Sequence, residues 1–104
     1  MNSKAKGSAG ERELCAHLTA RGFPAHRNDQ RYVGGKGLPD VSAEGLEGFH
    51  IECKRVERLN VNEAMHQAIA DADGRIPAVA HRRSREPWLL TMRLDDWLDL
   101  RDGS

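Results

Sequence analysis

The chain has little of what marks secreted, fibrous or membrane proteins. Two cysteines, Cys15 and Cys53, stand in 104 residues. They are too few for a disulfide scaffold, so both read as reduced thiols of a cytoplasmic protein. Aromatic residues are 5% of the chain and prolines number four. There is no Gly-X-Y period, heptad array or internal repeat, which excludes collagens and coiled coils. No apolar run approaches the roughly 18 residues of a membrane span, and no signal-peptide pattern opens the sequence. None of the five histidines stands in an HExxH or zinc-finger spacing, and no Ser/His/Asp arrangement is suggested. What is there is 38% hydrophobic and 31% charged, the balance of a globular chain. Its length suits one domain over residues 1–104 with a modest core.

The formal net charge is zero, but it is unevenly spread. Residues 1–37 carry seven Lys/Arg against three Asp/Glu, while residues 88–104 carry two against four. A neutral protein with one basic face has this pattern, as does an ordinary solvated surface.

The segment Met1 to Lys6 is polar and expected to fray. Ser8 followed by Glu11 has the spacing of a capping box, which predicts a helix over 9–21 stopped by Gly22. Leu14, Cys15 and Leu18 form its apolar stripe, and Glu11 lies one turn before them. A short extended stretch falls within 23–30, and Tyr32 to Gly37 reads as a Gly-rich mobile loop. Strands are predicted over 39–43 and 49–56, paired through a turn at 44–48. Alternation on the second puts Phe49, Ile51 and Cys53 on one face and His50, Glu52 and Lys54 on the other.

Val61, Ala64, Met65, Ala68, Ile69 and Ala72 recur at helical spacing, predicting a helix over 61–73 with Asn60 as its cap and Gly74 as its stop. Strands over 76–80 and 87–92 flank the basic run His81-Arg82-Arg83-Ser84-Arg85. A last short helix over 94–100 turns Leu94, Trp97 and Leu98 inward. The order α-β-β-β-α-β-β-α makes an α/β fold with a central mixed sheet flanked by helices.

The chemistry concentrates in Pro39-Asp40 and Glu52-Cys53-Lys54. Two carboxylates on adjacent strands can meet at one point and hold a hard divalent cation through oxygen. The lysine two residues after the glutamate shares its strand face and reaches the same place. The carbonyl of Cys53 offers a further metal ligand. Such a group suits phosphodiester hydrolysis, in which the cation offsets phosphate charge and lowers the pKa of bound water. The ammonium orients that water or stabilises developing charge.

P-D-V followed by I-E-C-K resembles the signature of PD-(D/E)XK nucleases, with Asp40, Glu52 and Lys54 at its catalytic positions. The opening K-G-S-A-G-E-R-E-L-C, the helix end R-G-F and the following A-H-R look like archaeal-type Holliday-junction resolvases. The likeness spans roughly residues 6–70. It implies a restriction-endonuclease-like fold, a Mg²⁺ or Mn²⁺ cofactor, DNA as partner and a homodimer whose two sites cut opposite strands. It also implies that Glu11 joins the metal site, directly or through water, with Arg12 and Arg27 beside it. After the second helix the chain is shorter than typical resolvases. Small phage and bacterial relatives act on other DNA structures, so nicking, flap or duplex cleavage stands as the alternative, as does a catalytically silent DNA-binding module.

Glu11 has a second reading as the capping-box acid. Gln67 sits where some members of the superfamily place a glutamine near the metal, yet its helical position is off the apolar stripe, the place of an exposed side chain. His50 shares the face of Glu52 and Lys54, where a lone histidine is more often a neighbour than a ligand. DNA contacts fall to Lys4, Lys6, Arg12, Arg27, Arg31, Lys36 and the cluster Arg82, Arg83 and Arg85, through phosphates and without reading sequence. The 81–85 run reads equally well as a charged hairpin tip. Tyr32 can stack on a base. Trp88, Trp97 and Leu98 can supply an apolar subunit interface.

Overall fold

In the computed structural model, helix α1 spans Ser3–Ala20, well ahead of the start expected at Ala9. The structure describes residues 3–28, 32–33 and 36–103, with side chains over 7–28 and 37–103. The extra turn begins in Ser-Lys-Ala-Lys, whose alanine and lysines favour helix, so Ser3 to Lys6 are helical rather than frayed. Ser8 and Glu11 therefore lie inside the helix, and no capping box forms. Two glycines interrupt this helix, and one is required by packing. A Cβ at Gly10 would lie 2.5 Å from Cβ of Arg55, so only glycine lets the helix lie this close to the sheet. Gly22, at φ 96°, ends the helix as expected. The N–H of Phe23 donates to Leu18 O and that of Gly22 to Thr19 O, closing the last carbonyls.

The strands are β1 (Ala25–Arg27), β2 (Tyr32–Val33), β3 (Lys36–Gly37), β4 (Val41–Ala43), β5 (Phe49–Arg55), β6 (Ile76–Arg82) and β7 (Leu89–Met92). Helix α2 (Val61–Asp71) joins β5 to β6, and α3 (Leu94–Gly103) follows β7. Five strands form a mixed sheet in the order β1-β4-β5-β6-β7. β5 and β6 run parallel in the register Ile51↔Ala78, which a crossover helix makes possible, and the remaining pairs are antiparallel. Leaving β2 and β3 aside, the order along the chain is the α-β-β-β-α-β-β-α read from the sequence. β2 and β3 instead pair with each other, Tyr32↔Gly37 and Val33↔Lys36, so the segment expected to be a loop carries a short hairpin.

Alternation along β5 sends its residues to two layers. Ile51 packs with Leu14 of α1, Val41 and Ala80, with Cys53 at the margin. The opposite face meets α2, where Ala64, Met65 and Ala68 close on Val79. Asn60 caps α2 as expected, its side chain accepting from Glu63 N–H at 3.1 Å. The helix ends at Asp71 rather than Asp73, because Asp73 already turns to φ 49° before Gly74. Ile69, expected on the inward stripe, is exposed.

The last helix departs most from expectation. No residue of α3 is buried, and Leu94, Trp97 and Leu98 are 67%, 48% and 40% exposed rather than turned inward. The helix follows the edge strand β7 and lines a shallow cleft with Ile76 of β6 through Asp96, Asp99 and Leu100, leaving Leu94, Trp97 and Leu98 largely uncovered. No helix among the described residues is long and apolar enough to cross a membrane.

Candidate active site

The corner before β4 is built by a proline that cannot donate. Pro39 interrupts the ladder opposite β5, and the chain turns there so that Asp40 N–H reaches Ile51 O at 3.0 Å. The Asp40 side chain then supplies the missing strand partner, accepting Cys53 N–H on Oδ2 at 2.8 Å. Asn28 holds the corner from β1. Its N–H donates to Asp40 O at 3.1 Å, and its side-chain amide donates to Pro39 O at 2.8 Å and Ser42 Oγ at 2.9 Å.

Asp40 and Glu52 are brought side by side, 6% and 5% exposed, close enough for Asp40 to perturb the Glu52 carboxyl. Burial alone pushes Glu52 upward. The His50 hydrogen bond and the influence of Asp40, with the charges of His50 and Lys54, outweigh it and hold the carboxyl below its ordinary value. Two buried acids this close resist carrying both charges unless a proton or cation stands with them. Their hard oxygen donors are those of Mg²⁺ or Mn²⁺, so the residues present fit such an ion.

Lys54 lies on the same strand face as Glu52, and its Nζ donates to Gln67 Oε1 of α2 at 3.2 Å. Gln67 is thus exposed, as its helical position indicated, and also bonded to Lys54. On that face the fully buried His50 places Nε2 2.8 Å from Glu52 Oε1. Ligand atoms of His50, Glu52 and Asp71 lie within 4.8 Å of one another. Asp71 was missed by sequence reasoning, although it lies four residues after Gln67 and so on the same side of α2. A Cβ at Gly37 would be 3.2 Å from Asp71 Cγ, so the glycine brings the β2–β3 hairpin against this end of the helix.

Glu11 stands on the α1 side of the sheet and is buried. Arg27 Nε donates to its Oε1 at 3.0 Å while Nη2 donates to Ser8 Oγ at 2.9 Å. Burial, then the charges of Asp40 and Glu11, push the Cys53 thiol up to about 12. Cys53 is therefore an unreactive thiol under two acids, and Cys15 is likewise raised, mainly by burial. Both thiols are free.

No family model and no curated protein matches the chain. A solved structure does. The chain is similar to Hjc of Archaeoglobus fulgidus, a Holliday junction resolvase from an archaeal hyperthermophile, at 26% identity. The match covers 83% of this chain and 76% of Hjc with a TM-score of 0.57. The mixed five-stranded sheet flanked by helices is thus a fold this chain shares with Hjc.

The basic residues are more engaged than their sequence positions suggested. Arg27 is spent on Glu11 and Ser8. Arg82 bonds Glu13 and, through Nε, Glu86 O at 2.6 Å. Glu13 also receives Arg55 Nε at 3.2 Å, so it ties α1 to the ends of β5 and β6. Arg12 and Arg85 are exposed, and Arg83 is an exposed partner of Glu86 at 3.7 Å. Arg31 lies outside the described residues, as do the side chains of Lys4, Lys6, Tyr32 and Lys36.

Proposed function

We propose that the chain is a metal-dependent DNA endonuclease of the PD-(D/E)XK kind that cuts four-way junctions as a homodimer. The observation that carries this reading is the convergence of buried Asp40 and Glu52 beside Lys54, in a fold shared with a junction resolvase. Asp40 and Glu52 would hold Mg²⁺ or Mn²⁺, with the Cys53 carbonyl as a third oxygen and Glu11 joining directly or through water. When bound, the cation supplies charge neutralisation at the phosphate and a water of lowered pKa.

The chain's own residues then have separate tasks. Asp40 is anchored by Cys53 N–H, so its carboxylate is oriented before substrate arrives. Lys54, steadied by Gln67, directs its ammonium at the attacking water or at the charge developing on the phosphate. The exposed guanidinium groups of Arg12, Arg83 and Arg85, together with Lys6, Arg31 and Lys36, hold the DNA backbone. Arg27 and Arg82 act there chiefly by fixing Glu11 and Glu13. A second copy of the chain would pack on the exposed apolar side chains of β7 and α3, bringing two sites to opposite strands.

A labelled synthetic four-way junction and a matching linear duplex, each with Mg²⁺ and with EDTA, test this reading. Paired nicks in the junction alone, abolished by EDTA and by Asp40→Asn, are expected. Cutting of both substrates would leave a nuclease without junction selectivity. Binding with no cutting would replace the enzyme with a silent DNA-binding module.

A further inference from the structure

His50 has no assigned task in that mechanism, yet it is placed at considerable cost. It is among the largest fully buried side chains of the protein, at 0% exposure. Its Nδ1 has no hydrogen-bond partner among the described residues. In the register of the sheet it stands opposite Pro77, which is also buried. An aliphatic residue would fill this position without desolvating two ring nitrogens. Among the described residues, the imidazole's hydrogen bond is to Glu52, through Nε2 at 2.8 Å. An ionised carboxylate only accepts, so the proton of this bond is carried by Nε2.

We propose that His50 is a positioning residue for Glu52, its Nε2–H fixing Oε1 so that the carboxyl group is presented toward Asp40. The proposal rests on reading Asp40 and Glu52 as a metal site. Residues two apart on a strand share a face at roughly 6–7 Å, a gap the imidazole spans. A glutamate has three rotatable side-chain bonds, and an unheld carboxylate would sample several orientations at the moment of metal binding. The hydrogen bond selects one of them. Asp71 adds to the need, since its carboxylate lies within the same 4.8 Å group as Glu52 and His50. The imidazole keeps Glu52 committed to Asp40 beside this third acid.

Histidine and its amide analogues separate positioning from ligation and from packing. Glutamine at 50 carries an amide N–H₂ where Nε2 stands, and asparagine carries it nearer Nδ1. Leucine fills the space without a donor. Mn²⁺ affinity is measured by titration calorimetry and by electron paramagnetic resonance on wild type, His50→Gln, His50→Asn, His50→Leu and Glu52→Gln. The fold of each is checked by circular dichroism. Loss of a residue that orients a metal ligand typically weakens affinity about 10–100-fold, and that loss is expected for His50→Asn and His50→Leu. His50→Gln should stay within about threefold of wild type, because the donor is restored. A folded His50→Asn or His50→Leu with wild-type affinity overturns the proposal. Equal losses in His50→Gln and His50→Leu overturn it too, making His50 a direct ligand. Mn²⁺ binding lost in Glu52→Gln but indifferent to position 50 sinks this inference alone, whereas a wild-type protein that binds no Mn²⁺ sinks the metal-site reading with it.

Discussion

The corner before β4, alongside β5, and the far edge at β7 and α3 follow opposite rules. At the corner, charged and polar side chains are buried: Glu11, Asp40, His50 and Glu52. Each is bonded to a neighbour, and Asn28 pins the backbone that carries Asp40. At the far edge, apolar side chains are exposed instead, Leu89, Leu90, Leu94 and Trp97 among them. The guanidinium of Arg101 lies 5.9 Å from the Trp97 ring. Buried polar groups cost free energy unless paired, and a protein keeps such a cluster where chemistry needs it. Exposed apolar groups at an open sheet edge are the surface on which we propose a second copy packs. The contrast therefore separates the place we propose to be reactive from the one we propose to be covered by a second copy.

Four substitutions sharpen that contrast. Lys54→Ala is expected to have the largest effect, lowering kcat by about 100-fold or more with little change in fold, as for loss of a transition-state donor. Single-turnover cleavage of the junction measures it, and wild-type rates would remove Lys54 from the mechanism. Gly10→Ala comes next. Its Cβ would lie 2.5 Å from Cβ of Arg55, an overpacking expected to cost about 1–3 kcal/mol. Urea unfolding reads this loss, and an unchanged midpoint would mean that α1 can move away from β5 freely. Asn28→Ala removes the two side-chain bonds at the corner and should cost about 1–2 kcal/mol. It should also lower cleavage by loosening Asp40, and a stability loss with full activity would separate the corner from the site.

Trp97→Ser is the smallest in the monomer, within about 0.5 kcal/mol, because the side chain is about half exposed. Sedimentation should instead show a weaker dimer. A large loss of stability with no change in association would mean that α3 belongs to the core.

Much of the corner was legible because it depends on local rules. Strand alternation placed His50, Glu52 and Lys54 on one face of β5, but the strand expected over 39–43 begins only at Val41, because Pro39 breaks the ladder and Asp40 lies at the corner. The capping motif at Asn60 and the stop at Gly22 act within one turn and were read as they occur. The capping box at Ser8 was not, because the spacing of Ser8 and Glu11 describes a possible cap but not whether the helix already began upstream. Asn28, the Arg27–Glu11 pair and Asp71 could not be placed from spacing, since each works across elements far apart in the chain. Asp71 becomes a neighbour of Glu52 only when α2 lies on the β5–β6 pair.

The sequence by itself determined the main periodicities, the order of the helices and of the five sheet strands, and the shared face of His50, Glu52 and Lys54 on β5. Those follow from backbone geometry and side-chain chemistry over a few residues. Only the tertiary structure decided which acids meet, which arginines are engaged internally and which apolar stripe stays exposed. A side chain's hydrophobicity states what it would gain by burial, but whether another layer lies over it is set by its element's place in the sheet. For α3, which follows the edge strand, Leu94, Trp97 and Leu98 remain at the surface.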